Sequence, residues 1–435
     1  MPEIRFLTVD PGHFHAALVQ KEMYPGVVPQ VHVYAPLGPD LVDYLARIAR
    51  FNTRAERPTQ WQLEVHAAPD YLDRVRRERA GNVAVFSGRN HGKIRKIQAA
   101  VDAGINALVD KPWVIVPEDL PILEAVLDSA DRQGLVAYDI MTERYEITSI
   151  LQRELRRDSA VFGDQVPGTA SDPGVVMESV HHILKIVAGV ANPRPAWFFD
   201  INEQGEALSD VGTHLVDLTQ WTLFPESAID YRRDIRLHSA ARWPTVMTPA
   251  QFRQVTGEPR YPAYLEPWIR ADSLEYFCNT RVSYELRGVH VKLDVLWNWE
   301  APSGGGDTHY AVYRGTGARL EVRQGQAEAW RPELYVVPQA DVATALEKRI
   351  AALQDRFPGI GLRLSGKEYL ITIPDSYRVG HEAHFAQVTN QFLKYLQDPG
   401  QMPAWEKPNM LAKYYVSTQG VAMAKGASSG VASRS

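Results

Sequence analysis

A single cysteine, Cys278, stands among 435 residues, which excludes an intrachain disulfide and permits a reducing compartment. No apolar run approaches the roughly 18 residues that a membrane-spanning helix needs, so no membrane partner is expected. Basic residues are not in excess. Lys and Arg number 47 against 52 Asp and Glu, and the net charge of -5 gives no footprint for nucleic acid. The first residues lack the basic region and apolar stretch of a signal peptide, so the expectation is a cytoplasmic protein. Internal repeats are also missing. What is present is globular composition, 45% apolar and 23% charged, in a chain too long for one ordinary core. Two domains are therefore expected. Ten tryptophans and nineteen tyrosines offer faces that suit sugar rings and equally suit a large core.

From Ile4 to Asp139, strand-length apolar runs alternate with helical spacings. The runs are Ile4 to Val9, Val31 to Tyr34, Leu63 to His66, Val83 to Phe86, Ile105 to Val109 and Leu135 to Asp139. Such alternation predicts an α/β fold with a doubly wound parallel sheet, and sheets of that kind bind ligands beyond the carboxyl ends of their strands. Lys111 stands at one of those ends, in Asp110-Lys111-Pro112, where the proline holds the residues before it extended. A lysine there is either a site residue or a surface residue that follows a strand.

Asp10-Pro11-Gly12-His13-Phe14-His15 occupies the place of a dinucleotide fingerprint, G-x-G-x-x-G, between a strand and a helix. Only the middle glycine remains, Gly12; Asp10 replaces the first and His15 the third. The middle glycine is the one that lets a pyrophosphate approach the backbone. Asp10 and Pro11 also read as a helix N-cap and first-turn proline. His13 and His15 can donate to phosphate or simply shape the turn. The acid that usually holds a ribose hydroxyl is missing after Tyr34, and Asp40 comes late, which leaves NAD and NADP both open.

After Met141 the pattern changes. Val175 to Val180 reads as a strand carrying Glu178, and His181, His182 and Lys185 follow it; Trp197 lies beyond. On a helix, Asp210, His214 and Leu218 would share one face. A carboxylate one turn from a histidine can orient the ring and raise its basicity, as a general base requires. The alternative is a capping Asp and a partly buried His. No third ligand lies at motif spacing, so no metal is expected. Long β-runs from Arg281 to Val322 predict a large, mostly antiparallel sheet, with Gly304-Gly305-Gly306-Asp307 as a loop. His381 to Gln397 reads as a late helix carrying His384, a further candidate for the site. The expected divisions are 1–141, 142–423 and a disordered small-residue tail at 424–435.

In this order, the altered turn, Asp110-Lys111-Pro112 and Asp210-x-Gly212-x-His214-x-x-Asp217 resemble the Gfo/Idh/MocA oxidoreductases, typified by glucose–fructose oxidoreductase and inositol dehydrogenase. Asp110-Lys111-Pro112 is similar to the family's Glu-Lys-Pro. Ser87-Gly88-Arg89-Asn90-His91 occupies the loop where the family often has Pro-Asn near the nicotinamide. The resemblance implies a Rossmann-like domain that binds NAD or NADP around Asp10, Gly12, His13, Phe14, His15, Ser87, Asn90, His91, Asp110 and Lys111. It also implies a distinct C-terminal α+β domain for substrate binding and oligomerisation, and a dimeric or tetrameric assembly. The implied reaction is hydride transfer between nicotinamide and a carbon of a sugar, glycoside or polyol. His214 would be the base, Asp210 would orient it, and Lys111 would steady the oxygen. Glu178, His181, His182, Lys185, Trp197, Asp217 and His384 are the candidate substrate contacts. The same groups would serve an NAD-retaining enzyme that cleaves glycosides by transient oxidation and elimination. A sugar-binding or regulatory protein without catalysis is the third reading, which the altered fingerprint favours.

Overall fold

The computed structural model describes residues 3–187, 190–191 and 193–432. They form two compact units: the chain up to Tyr145 together with Gly380–Tyr414, and Glu146–Val379 together with the chain from Tyr415 onward. No helix among the described residues is long and apolar enough to cross a membrane.

Six strands build the first unit: β1 (Phe6–Val9), β2 (Gln30–Ala35), β3 (Gln62–Ala67), β4 (Val83–Phe86), β5 (Asn106–Asp110) and β6 (Ala137–Ile140). All pair in parallel, in the order β3-β2-β1-β4-β5-β6. Every side chain of β1 and β4 is buried, because strands covered by helices on both faces need continuous apolar sequence. Strand order reverses between β1 and β4, and that switch point opens the crevice in which a sheet of this type takes a ligand.

Phe385, Val388, Phe392 and Leu393 belong to the same core as Phe6, Val31, Val83 and Leu108. They project from one face of the helix His381–Gln397. That helix therefore completes the first unit, and the expected assignment of 142–423 to one later domain is corrected here. The last helix, Glu406–Ala432, also corrects the disordered tail expected from Ala424, since Ala424 is buried and the helix continues through Ala432. Residues 433–435 lie outside the described residues.

The second unit holds a ten-stranded sheet. Nine strands follow one path: Ile235–Met247, Ser273–Leu286, Val289–Glu300, Val175–Leu184, Thr308–Arg314, Ala318–Arg323, Glu333–Pro338, Glu368–Thr372 and Gly361–Ser365. Pairing along it is antiparallel except between Val289–Glu300 and Val175–Leu184. The helix Gly212–Leu223 lies against this sheet, with Thr219 Oγ1 3.7 Å from Met177 Sδ and the Leu218 carbonyl accepting from the Tyr313 hydroxyl at 2.9 Å.

A buried ion pair fixes the end of β6. The Asp139 carboxylate accepts from Lys413 Nζ at 2.6 Å, the Tyr414 hydroxyl at 2.8 Å and Trp113 Nε1 at 3.2 Å. The Lys413 and Asp139 side chains are 1% and 6% exposed, so neither charge has water to fall back on. Lys413→Met strands the carboxylate and is expected to cost about 3–5 kcal/mol in urea denaturation, with Asp139→Asn added to it recovering part of the loss. A cost under about 1 kcal/mol would contradict the pairing.

Candidate active site

Two turns meet at the switch point. The Ser87 carbonyl, just after β4, accepts from the amides of Gly12 at 3.0 Å and His13 at 3.2 Å, which follow β1. A Cβ on Gly88 would collide with the Asp10 carbonyl oxygen, so only glycine lets the two backbones approach this closely. A Cβ on Gly12 would lie 3.3 Å from Asp40 Oδ2 and 3.4 Å from Gly88 Cα. Asp10 does not cap the helix as expected. It takes a left-handed φ of 50°, and the helix begins only at His15. Its carboxylate pairs with Lys96 and accepts from the Tyr71 hydroxyl at 3.4 Å, so a charge that would repel a phosphate is neutralised. Asp40 pairs with Arg89 Nε at 3.3 Å beside the same turn. The bare backbone at Gly12 and the neutralised Asp10 fit a dinucleotide. The amides of Gly12 and His13 are committed to the Ser87 carbonyl.

Asp110, at the end of β5, ties both turns together. Its Oδ2 accepts from Ser87 Oγ at 2.8 Å, and lies 3.0 Å from His15 Nδ1 and 3.7 Å from His13 Nδ1. Lys93 donates to the Asp110 carbonyl at 3.0 Å. Burial lowers the Lys93 ammonium to about 8, against the opposing charges of Asp110 and Asp139. Lys111 follows at once. Asn90 is buried beside this group and His91 is exposed. Phe14 packs 4.6 Å from the His13 ring.

In the second unit a cluster forms on Asp307. His182 Nδ1 lies 3.1 Å from Asp307 Oδ1, His181 Nδ1 lies 3.3 Å from Oδ2, and Lys185 Nζ donates to Oδ2 at 2.5 Å. Ser179 Oγ sits 2.8 Å from His181 Nε2, and the His181 ring stacks on Trp297 at 4.9 Å. Burial lowers the affinity of His181 for a proton, only partly offset by Asp307; the negative charge of Asp210 also acts on it. Burial raises the Asp307 carboxyl, but His181 and Lys185 overcome this and hold it well below the usual carboxylate range.

The expected residues do not all gather. Asp210 precedes the helix that carries His214, because that helix starts at Gly212; the Asp210 carbonyl instead accepts from Thr213 Oγ1 at 2.6 Å. Glu178 points to the opposite face of its strand from Ser179 and His181, where its charge acts on Arg281 and Tyr310. Trp197, Asp217 and His384 are 3%, 2% and 2% exposed, which makes them interior residues. Four residues were not among the candidates read from the sequence. Lys93 shares a helical stripe with Ile97 and Ala100, a spacing that could have flagged it. Lys96 and Arg89 carry no such signal, and Asp307 is marked only by the three glycines before it.

A family model described as "Putative oxidoreductase C terminal domain" matches residues 151–425. A crystal structure of a "putative oxidoreductase" from Parabacteroides merdae ATCC 43184 is 47% identical over 98% of each chain, with a TM-score of 0.94. GenD2 from gentamicin A biosynthesis, crystallised with NAD, is 16% identical over 98% of this chain and 95% of its own, with a TM-score of 0.60. The 3-ketoreductase KijD10 from Actinomadura kijaniata, crystallised with NADP and TDP-benzene, is 14% identical over 98% of each chain, with a TM-score of 0.57. At these last two identities the likeness is one of fold. No curated protein matches.

His309 makes the Asp307 region sensitive to acid. Burial, then the positive charge of His181, pushes it down to about 4. The folded state thus binds fewer protons than the unfolded state between about pH 6.5 and pH 4, and stability falls as pH falls through that window, by up to about 3 kcal/mol. Denaturation at pH 7 and pH 4.5 should show His309→Gln losing less stability on acidification than the parent; equal losses would contradict the assignment.

Proposed function

The chain belongs to the oxidoreductase family that carries this C-terminal domain, a distinct branch of the Gfo/Idh/MocA oxidoreductases, and on that premise we propose that it moves a hydride between NAD or NADP and a carbinol carbon of a sugar, glycoside or polyol. The observation that carries the proposal is the parallel sheet ordered β3-β2-β1-β4-β5-β6 with Gly12 at its switch point. The NAD and NADP seen in GenD2 and KijD10 support it. The pyrophosphate would lie along the turn at Gly12, with Asp10, His13, Phe14, His15, Ser87, Asn90, His91, Asp110 and Lys111 around it. Asp40, although late in the sequence, lies beside the turn at Gly12; acting on a ribose hydroxyl it would favour NAD over the 2′-phosphorylated form.

When bound, the nicotinamide supplies the two-electron acceptor. In the oxidation direction His214 takes the hydroxyl proton, Asp210 contributes the negative charge that favours the protonated ring, and the Lys111 ammonium steadies the developing alkoxide. His181, His182 and Lys185, gathered on Asp307, offer hydroxyl-binding groups to a polyhydroxylated substrate. Glu178 is not among them.

Against a verified substrate, Lys111→Ala and His214→Ala should each lower kcat by about 10²–10⁴-fold, with cofactor affinity kept in His214→Ala. Wild-type turnover in both variants would remove these roles. Glycoside cleavage without net production of NADH would instead support the NAD-retaining reading.

A further inference from the structure

Four of the thirteen histidines, His13, His15, His381 and His384, gather in the first unit, and two of them converge on one carboxylate. Donor atoms of His13, His15 and Asp110 all lie within 4.8 Å of one another. The two imidazoles meet edge to face, 4.1 Å between centroids at 85°, and both turn Nδ1 toward Asp110 Oδ2. Their side chains are 20%, 9% and 5% exposed. We propose that His13, His15 and Asp110 bind one divalent transition-metal ion of the zinc class.

Two imidazoles and a carboxylate are a donor set that zinc takes readily, usually with a fourth position open or filled by another ligand. Bonds of about 2.0–2.1 Å to a tetrahedral ion put neighbouring donors about 3.3 Å apart. The observed nitrogen-to-carboxylate separations of 3.0 and 3.7 Å bracket that value, and all three donor atoms lie within 4.8 Å of one another. A partner outside the ligand set is already in place: Ser87 Oγ donates to the Asp110 carboxylate at 2.8 Å and fixes its orientation. His381 is the nearest further imidazole, its ring centroid 5.5 Å from that of His15. One helical turn on, His384 is buried with no hydrogen bond to either ring nitrogen, a neutral ring close to the cluster. Lys93 donates to the Asp110 backbone carbonyl and leaves the carboxylate for the histidines.

Two other His/Glu groups converge less well. His66 Nδ1 in the His32–Glu64–His66 group already faces the Arg74 guanidinium at 3.2 Å, a cation where an ion would need room. In the His238–Glu285–His290 group the side chains are 20–27% exposed on a strand face, against 5–20% at His13, His15 and Asp110.

An ion at His13, His15 and Asp110 would cross-link the turn after β1 to the end of β5, one residue before Lys111. It would take over the packing role of the third glycine, whose place His15 occupies. The ligands come from two histidines two residues apart and an aspartate 95 residues away from His15, so no motif spacing announces the site.

The test uses the full chain stripped with a chelator and titrated with Zn2+ against a chromogenic competitor, with Co2+ as a spectroscopic probe. The expected result is one ion per chain, visible bands of tetrahedral Co2+, and at least about 100-fold weaker binding in His13→Ala and His15→Ala. Ser87→Ala should weaken binding by about 10-fold, while His32→Ala and His238→Ala should leave it unchanged. His15→Gln, with circular dichroism, guards against loss of fold in the alanine variant. Absence of a stoichiometric ion, or binding unchanged in both His13→Ala and His15→Ala, would overturn the proposal and leave a hydrogen-bonded His15–Asp110 pair. Titration of NAD and NADP into the same proteins separates the two ideas: ion binding without nucleotide binding keeps the metal site and removes the dehydrogenase reading.

Discussion

The first unit depends on the approach of two backbones. β1 and β4 deliver their turns so close together that the Ser87 carbonyl reaches two amides of the other turn, and glycine is the residue that fits at 88. That contact costs the turn two amide donors that a dinucleotide site commonly aims at phosphate. Side-chain pairs fix the rest of the turn: Lys96 neutralises Asp10, Arg89 pairs with Asp40, and Asp110 holds Ser87 and the histidines.

The second unit is arranged around a carboxylate as well. Asp307 gathers two histidines and a lysine at the end of the strand Val175–Leu184, and its charge is kept by those partners despite burial. Stacking on Trp297 and a hydrogen bond with Ser179 leave His181 little freedom to reorient. A cluster built this way holds its polar groups in fixed positions.

The parallel sheet was legible because β1, β4 and β5 are continuous apolar runs that stop at turn residues, a pattern that belongs to strands buried on both faces. The place of Gly12 and Lys111 at strand ends followed from it. What escaped depends on contacts distant in sequence. Nothing near His381–Gln397 says that Phe385 and Phe392 pack with Phe6, and nothing near Asp307 points back to His181. The helix boundary also escaped: a spacing of four suggests that Asp210 and His214 ride on one helix, but the helix begins at Gly212, after Asp210. Glu178 was close in sequence to His181 and His182, but its charge acts on Arg281 and Tyr310.

The most direct measurement is calorimetric titration of NAD and NADP into the parent protein and into Gly88→Ala, with circular dichroism to confirm that the variant is folded. If the close approach of the two turns makes the nucleotide site, the parent binds one equivalent and the added methyl group weakens binding by at least about tenfold. If the parent binds neither nucleotide, or Gly88→Ala binds as the parent does, the turns are not the cofactor site and the account of this fold as a dinucleotide oxidoreductase is wrong.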